Sequence, residues 1–147
     1  MKKTIYFSLV AFLIVLGCSK IDNVSAQGKS EPKKVTTAHT GSFDAVFDLW
    51  CGDQVIDQLS GTMNYHCTMQ FQNDVMLFMN MVYYGSFAGN SGEVFKYKEI
   101  TKYDASQGDL NSNFHFNVIG NKGSHIIASG KYLNEAPWVE FNKAQCK

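Results

Sequence analysis

The chain has 147 residues, 45% of them hydrophobic and 14% aromatic, and its charges balance at pH 7 with no arginine at all. Without arginine's planar fork for phosphates and guanine edges, and without a basic surplus, nucleic acids and nucleotides are excluded as expected partners. The charge is unevenly spread: residues 1–41 carry six lysines against Asp22 and Glu31, a net of +4, while residues 42–147 carry seven lysines against eleven acidic residues, a net of −4.

Met1–Cys18 has the parts of an export signal: Lys2 and Lys3, then the apolar run Ile5–Leu16. A run of twelve residues falls short of the roughly twenty that span a bilayer. Val15-Leu16-Gly17-Cys18 resembles the lipobox of bacterial lipoproteins, which implies acylation of Cys18 and a lipid anchor in the membrane. Leu16 stands where a small residue is usual, and cleavage after Val24-Ser25-Ala26 is the alternative exit. Either route implies export: to the cell envelope (lipid-anchored, outer membrane or surface), or otherwise to the periplasm or medium. Residues 19–41 are rich in Lys, Ser, Thr and Gly with almost no large apolar side chain, so they read as a flexible tether. Residues 42–147 then suit one domain with a single core.

Phe43, Ala45, Phe47 and Leu49 alternate with Asp44, Val46, Asp48 and Trp50, a strand with its odd positions on the core. Cys51-Gly52-Asp53 turns the chain, and Val55-Ile56 suggests a short strand before Gly61. From Gly61 to Tyr84 the sequence reads as a hairpin folded at Gln72-Asn73-Asp74. Its first arm sets Met63, Tyr65, Cys67, Met69 and Phe71 against polar neighbours; its second, Val75–Tyr84, is apolar at nearly every position, so both faces should be covered. Gly85–Gly92 reads as a connecting loop; no Gly-Lys-Ser/Thr follows it to cradle a phosphate.

Phe95, Tyr97, Thr101 and Tyr103 alternate with Lys96, Lys98 and Lys102, with Glu99 interrupting the apolar row and Ile100 the lysine row. The lysines should face water and oppose edge-to-edge pairing. After the polar stretch Asp104–Ser112, Phe114, Phe116 and Val118 share a face, and Gly120-Asn121-Lys122-Gly123 makes a hairpin turn. Ile126, Ala128 and Tyr132 follow on one side of the return strand, and Pro137 opens a last strand through Trp138, Val139 and Phe141. No window shows capped helical spacing. The expected fold is all-β: a single antiparallel β-sandwich or small β-barrel of seven to eight strands.

Cys51 closes the first strand and Cys146 the last, and terminal strands of a β domain often lie side by side. The expected disulfide is therefore Cys51–Cys146, with Cys67 reduced and buried on the apolar face of its strand. Cys51-Gly52-Asp53-Gln54-Val55, Gly61-Thr62, His66, Ser124-His125 and Ser129-Gly130-Lys131-Tyr132 together look similar to small exported bacterial β proteins of unassigned role. That resemblance implies no activity.

Catalytic and metal chemistry find little support. His66, His115 and His125 are not spaced i, i+2 on one strand and have no carboxylate completing a set. Cys67 and His66 are neighbours on a strand and so point to opposite faces. Neither Ser91 nor Ser124 lies in a nucleophile elbow, and Asp44, Asp48 and Asp53 lack a loop of alternating oxygen ligands. No cofactor or metal is expected, and no catalytic residue is assigned. Functional colour comes from Met63, Met69, Met76, Met79 and Met81 among Tyr65, Phe71, Phe78, Tyr83 and Tyr84. Such side chains fill a core by default and can also line an adaptable cavity. Tyr65, His66, Met79, Met81 and Tyr83 are the candidate pocket residues. The expected function is a non-enzymatic binding or interaction module at the cell envelope, for a small apolar ligand or an envelope protein. The alternatives are a structural or adhesive surface domain and an enzyme of the barrel cyclase or isomerase kind.

Overall fold

The computed structural model describes residues 33–105 and 112–147. The signal-like segment with Cys18, the alternative cleavage site and the tether up to residue 32 lie outside the described residues.

Among the described residues, seven antiparallel strands form one sheet in sequence order: β1 (Lys34–Cys51), β2 (Gln54–Gln72), β3 (Val75–Gly89), β4 (Val94–Asp104), β5 (Ser112–Gly120), β6 (His125–Tyr132) and β7 (Val139–Cys146). The all-β expectation of seven to eight strands is borne out. Each strand pairs with the next, and β1–β2, β2–β3, β3–β4 and β5–β6 are joined by connections of two to four residues. Asn73 and Asp74, with φ of 51° and 63°, make the β2–β3 reversal; positive φ at both central residues gives the turn the twist a two-residue hairpin needs.

The sheet is strongly curled. Phe47 on β1 and Tyr97 on β4 are three strands apart, which in a flat sheet means roughly 14 Å. Their ring centroids lie 5.7 Å apart. One core thus gathers Ala45 and Leu49 from β1, Leu59 and Met63 from β2, Phe87, Phe95, Phe114, Phe116 and Val118 from β3–β5, and Ile126 and Ala128 from β6. Phe47, Phe87 and Tyr97 meet edge-to-face at the centre, an arrangement that adds electrostatic complementarity to area burial.

The curl brings the two outermost strands together at one end. Cys51 and Cys146 are joined there, with Cα atoms 6.0 Å apart and a sequence separation of 95. Cys67 takes no part in a disulfide and is fully buried. Both cysteine expectations hold. The β1–β2, β3–β4 and β5–β6 turns lie at this stapled end; the β2–β3 and β6–β7 connections and the start of β1 lie at the far end.

Three sequence expectations need correction. The sheet already includes residues before Ser42: Val35–Gly41 pairs residue for residue with Tyr65–Phe71, and β-branched Thr36, Thr37 and Thr40 favour the extended backbone. Gly85–Gly92 is not all loop, because β3 runs to Gly89 and contains the fully buried Phe87. Gly85 belongs in the strand because a Cβ there would sit 2.6 Å from the Thr62 carbonyl oxygen and against the Phe87 ring. Finally, β3 is not covered on both faces: Tyr84 on the outer side is 49% exposed.

Candidate binding site on the inner surface

The alternation of β4 is regular, and its consequence is chemical. Phe95, Tyr97, Glu99, Thr101 and Tyr103 all share the inner face, while Lys96, Lys98, Ile100 and Lys102 face outward in register with the outer positions of β3 and β5. Glu99 does not interrupt the apolar row; it is the row's central member, 8% exposed. It lies in one cross-strand line with Gly41, Tyr65, Tyr83, Phe116 and Ala128.

Hydroxyls converge on this carboxylate. Thr101 Oγ1 donates to Glu99 Oε1 at 3.0 Å and the Tyr132 hydroxyl donates to the same oxygen at 2.9 Å. The Tyr97 hydroxyl donates to Oε2. Burial, and then the Glu99 charge, push the Tyr97 and Tyr132 phenols well above their ordinary range. Both therefore stay protonated donors at any physiological pH. Tyr83 lies close enough to add its influence on both phenols.

Beyond Glu99 the inner surface changes character. Towards the stapled end it is packed with phenylalanines; towards the far end it carries buried Cys67, Met69 and Met81, with Tyr65, Phe71, Met76, Met79 and Tyr83 half-buried around them. Of the expected pocket residues, Tyr65, Met79, Met81 and Tyr83 are gathered on this strip. Tyr65 and Tyr83 are direct cross-strand partners. The Tyr65 ring lies over Gly41, where a Cβ would come within 2.6 Å of its hydroxyl oxygen. His66 is not part of the group: it faces the other side of β2, beside Val82, with a ring nitrogen 3.2 Å from Thr68 Oγ1. The period of two decides that separation.

No family model, no curated protein and no solved structure matches this chain. The site therefore stands on its own geometry.

The remaining polar residues have identifiable local partners. His125 Nε2 lies 2.8 Å from Asn117 Oδ1, and His115 is exposed on the outer face of β5. Asp44 and Asp48 accept from Thr62 and Gln58 on the exposed side of the β1–β2 ladder. Among the described residues no group of three His, Cys, Asp or Glu gathers to hold a metal.

Ser91 and Ser124 answer to two carboxylates that the sequence reading passed over. Asp57 accepts from the Ser91 hydroxyl and the Ser91 and Gln58 backbone N–H groups. Glu93 accepts from the Ser124 hydroxyl at 2.8 Å and from the backbone N–H groups of Lys122 and Ser124. Each carboxylate lies over a glycine of the next strand, Asp57 over Gly89 and Glu93 over Gly120. The Ser91 hydroxyl outweighs burial and, with the backbone donors, holds the Asp57 carboxyl below its ordinary value. Burial would raise the Glu93 carboxyl, but the Ser124 and Lys122 bonds and the Lys122 charge outweigh it and hold it low. These two groups brace the turns at the stapled end and leave Glu99 as the carboxylate facing the interior strip.

Proposed function

We propose that this chain is an exported cell-envelope protein whose domain binds a small, largely apolar ligand against its inner surface, without catalysing a reaction. The observation that carries the reading is the half-buried strip of Tyr65, Phe71, Met76, Met79 and Tyr83 on the concave face of a curled sheet. A core of this size would close over such side chains if packing were their only task. Methionine and aromatic side chains adapt to an apolar guest, and a few polar groups at one end of the strip would orient it.

Export is supported by the basic and apolar pattern of Met1–Cys18 and by a disulfide, which persists in oxidising compartments. In this reading Cys18 is acylated and holds the domain at the membrane.

A second reading has one observation in its favour. Convergence of Glu99 with Tyr97, Tyr132 and Thr101 is the arrangement an interior acid–base site would use. Yet burial keeps both phenols protonated, and all three hydroxyls point at the carboxylate. Such a group positions a ligand more readily than it transfers protons.

Native mass spectrometry of the full-length protein taken from its own envelope, run beside its denatured mass, tests the proposal. A non-covalent adduct in the native spectrum and diacylglycerol on a chain beginning at Cys18 are expected. A bare native mass overturns the binding reading, and an unmodified chain beginning at Gln27 overturns the anchor.

A further inference from the structure

Glu99 is a buried carboxylate whose described partners are all neutral. Tyr97, Tyr132 and Thr101 donate hydroxyls to it. No lysine among the described residues of β4 faces it, since Lys96, Lys98 and Lys102 alternate to the outer face, and the chain has no arginine. Asp57 and Glu93 differ, because each caps a turn and receives backbone N–H groups. Removing a carboxylate from water is costly, and hydrogen bonds from neutral donors recover only part of what a cation would.

The surroundings of Glu99 suit a cation. Tyr83 is its half-buried neighbour in the cross-strand row and Phe116 its neighbour on the other side, while the Tyr65 ring, one strand further on, leans over Gly41 and Phe43. Aromatic ring faces attract ammonium groups, more strongly when water is excluded. Beyond them Met69, Met79 and Met81 offer a polarizable surface for an apolar body. A fatty acid or other anion would set its headgroup against Glu99 or leave it in the apolar strip, and both placements are unfavourable.

Resting on the binding reading above, we infer that the inner-surface site takes an organic cation: an ammonium group carried on an apolar body. The ammonium sits beside Glu99 and Tyr83, and the body lies along the methionine strip.

The test is calorimetric titration of the full chain with three probes of equal chain length: octyltrimethylammonium, 1-octanol and octanoate. The ammonium is expected to bind about tenfold or more tighter than the alcohol, and octanoate more weakly than either. In Glu99→Gln the preference for the ammonium over octanol should fall to within about threefold. Equal binding of the ammonium and the alcohol, or a preference that survives Glu99→Gln, overturns the ligand class while leaving an apolar site in place. If none of the probes binds, the binding reading fails and the inference fails with it. Should Glu99→Gln not fold, the ranking of the three probes on the unaltered protein decides.

Discussion

Tyr132 on β6 donates its hydroxyl to Glu99 Oε1 on β4 at 2.9 Å, reaching past Phe114 of the intervening strand, whose ring centroid lies 4.6 Å from its own. A bond between alternate strands exists because the sheet is curled, and it helps hold that curl. Tyr132→Phe should keep the ring packing but take a donor from a buried carboxylate, at a cost of about 1–3 kcal/mol. Urea unfolding at pH 7 measures it. Tyr84→Phe, on the exposed outer face, is the control and should change stability by less than about 0.5 kcal/mol; equal effects would contradict the account.

The glycines beneath the two turn-bracing carboxylates should be intolerant of a methyl group. A Cβ at Gly120 would overlap the Glu93 carboxylate, and one at Gly89 the Asp57 carboxylate. Gly120→Ala should displace Glu93 from Ser124 and Lys122 and destabilise the domain by about 1–3 kcal/mol. Combined with Glu93→Ala, the second change should cost less than it does alone, because the bonds it breaks are already gone. Additive losses in a double-mutant cycle would show that the two residues do not act together.

Acid should loosen the stapled end first. The Asp57 and Glu93 carboxyls are held below their ordinary values of 3.8 and 4.5. The stability they contribute is complete above those values and is lost as pH falls through the lower folded-state ones. Stability should be level from neutral pH to about 5 and fall below about 4. In the Asp57→Asn, Glu93→Gln double variant that acid-dependent fall should be shallower. An unchanged slope, followed by urea unfolding at a series of pH values, would rule these two groups out.

The Cys51–Cys146 bond joins the outermost strands of the sheet across 95 residues of sequence. Cys51→Ser with Cys146→Ser should cost about 2–5 kcal/mol, mostly by freeing the unfolded chain. Because the bond also ties the two ends of the curl, hydrogen exchange should rise most in β1 and β7 and least in β3 and β4. Uniform acceleration would contradict the arrangement.

Much of this fold was legible from period and turn chemistry alone. Alternation gave the inner faces of β2, β5 and β6, Asn73-Asp74 and Gly120–Gly123 gave two turns, and the terminal positions of Cys51 and Cys146 gave their pairing. Polarity misled where the inside is not apolar. Glu99 looked like an error in a row of aromatics, although regular spacing on both sides of it was the signal that it points inward. Val35–Gly41 looked like tether because its stabilisation comes from pairing with the far half of β2, which hydropathy does not register. Gly85 and Gly89 looked like loop, whereas close approach of a neighbouring backbone or carboxylate requires glycine within the strand. Among the expected pocket residues, His66 fell outside because its own strand's alternation sends it to the opposite face.

The central claim is that the methionine and tyrosine strip accepts an apolar guest. Fluorescence titration of the full chain with N-phenyl-1-naphthylamine, an uncharged probe that brightens in apolar surroundings, tests it most directly. The account predicts saturable enhancement that is lost in Met79→Asp with Met81→Asp, provided that variant keeps its disulfide and its far-ultraviolet strand signal, and is retained in His66→Ala. Absence of saturable enhancement in the unaltered protein, or loss of it on replacing outward-facing His66, would contradict a site on the inner surface.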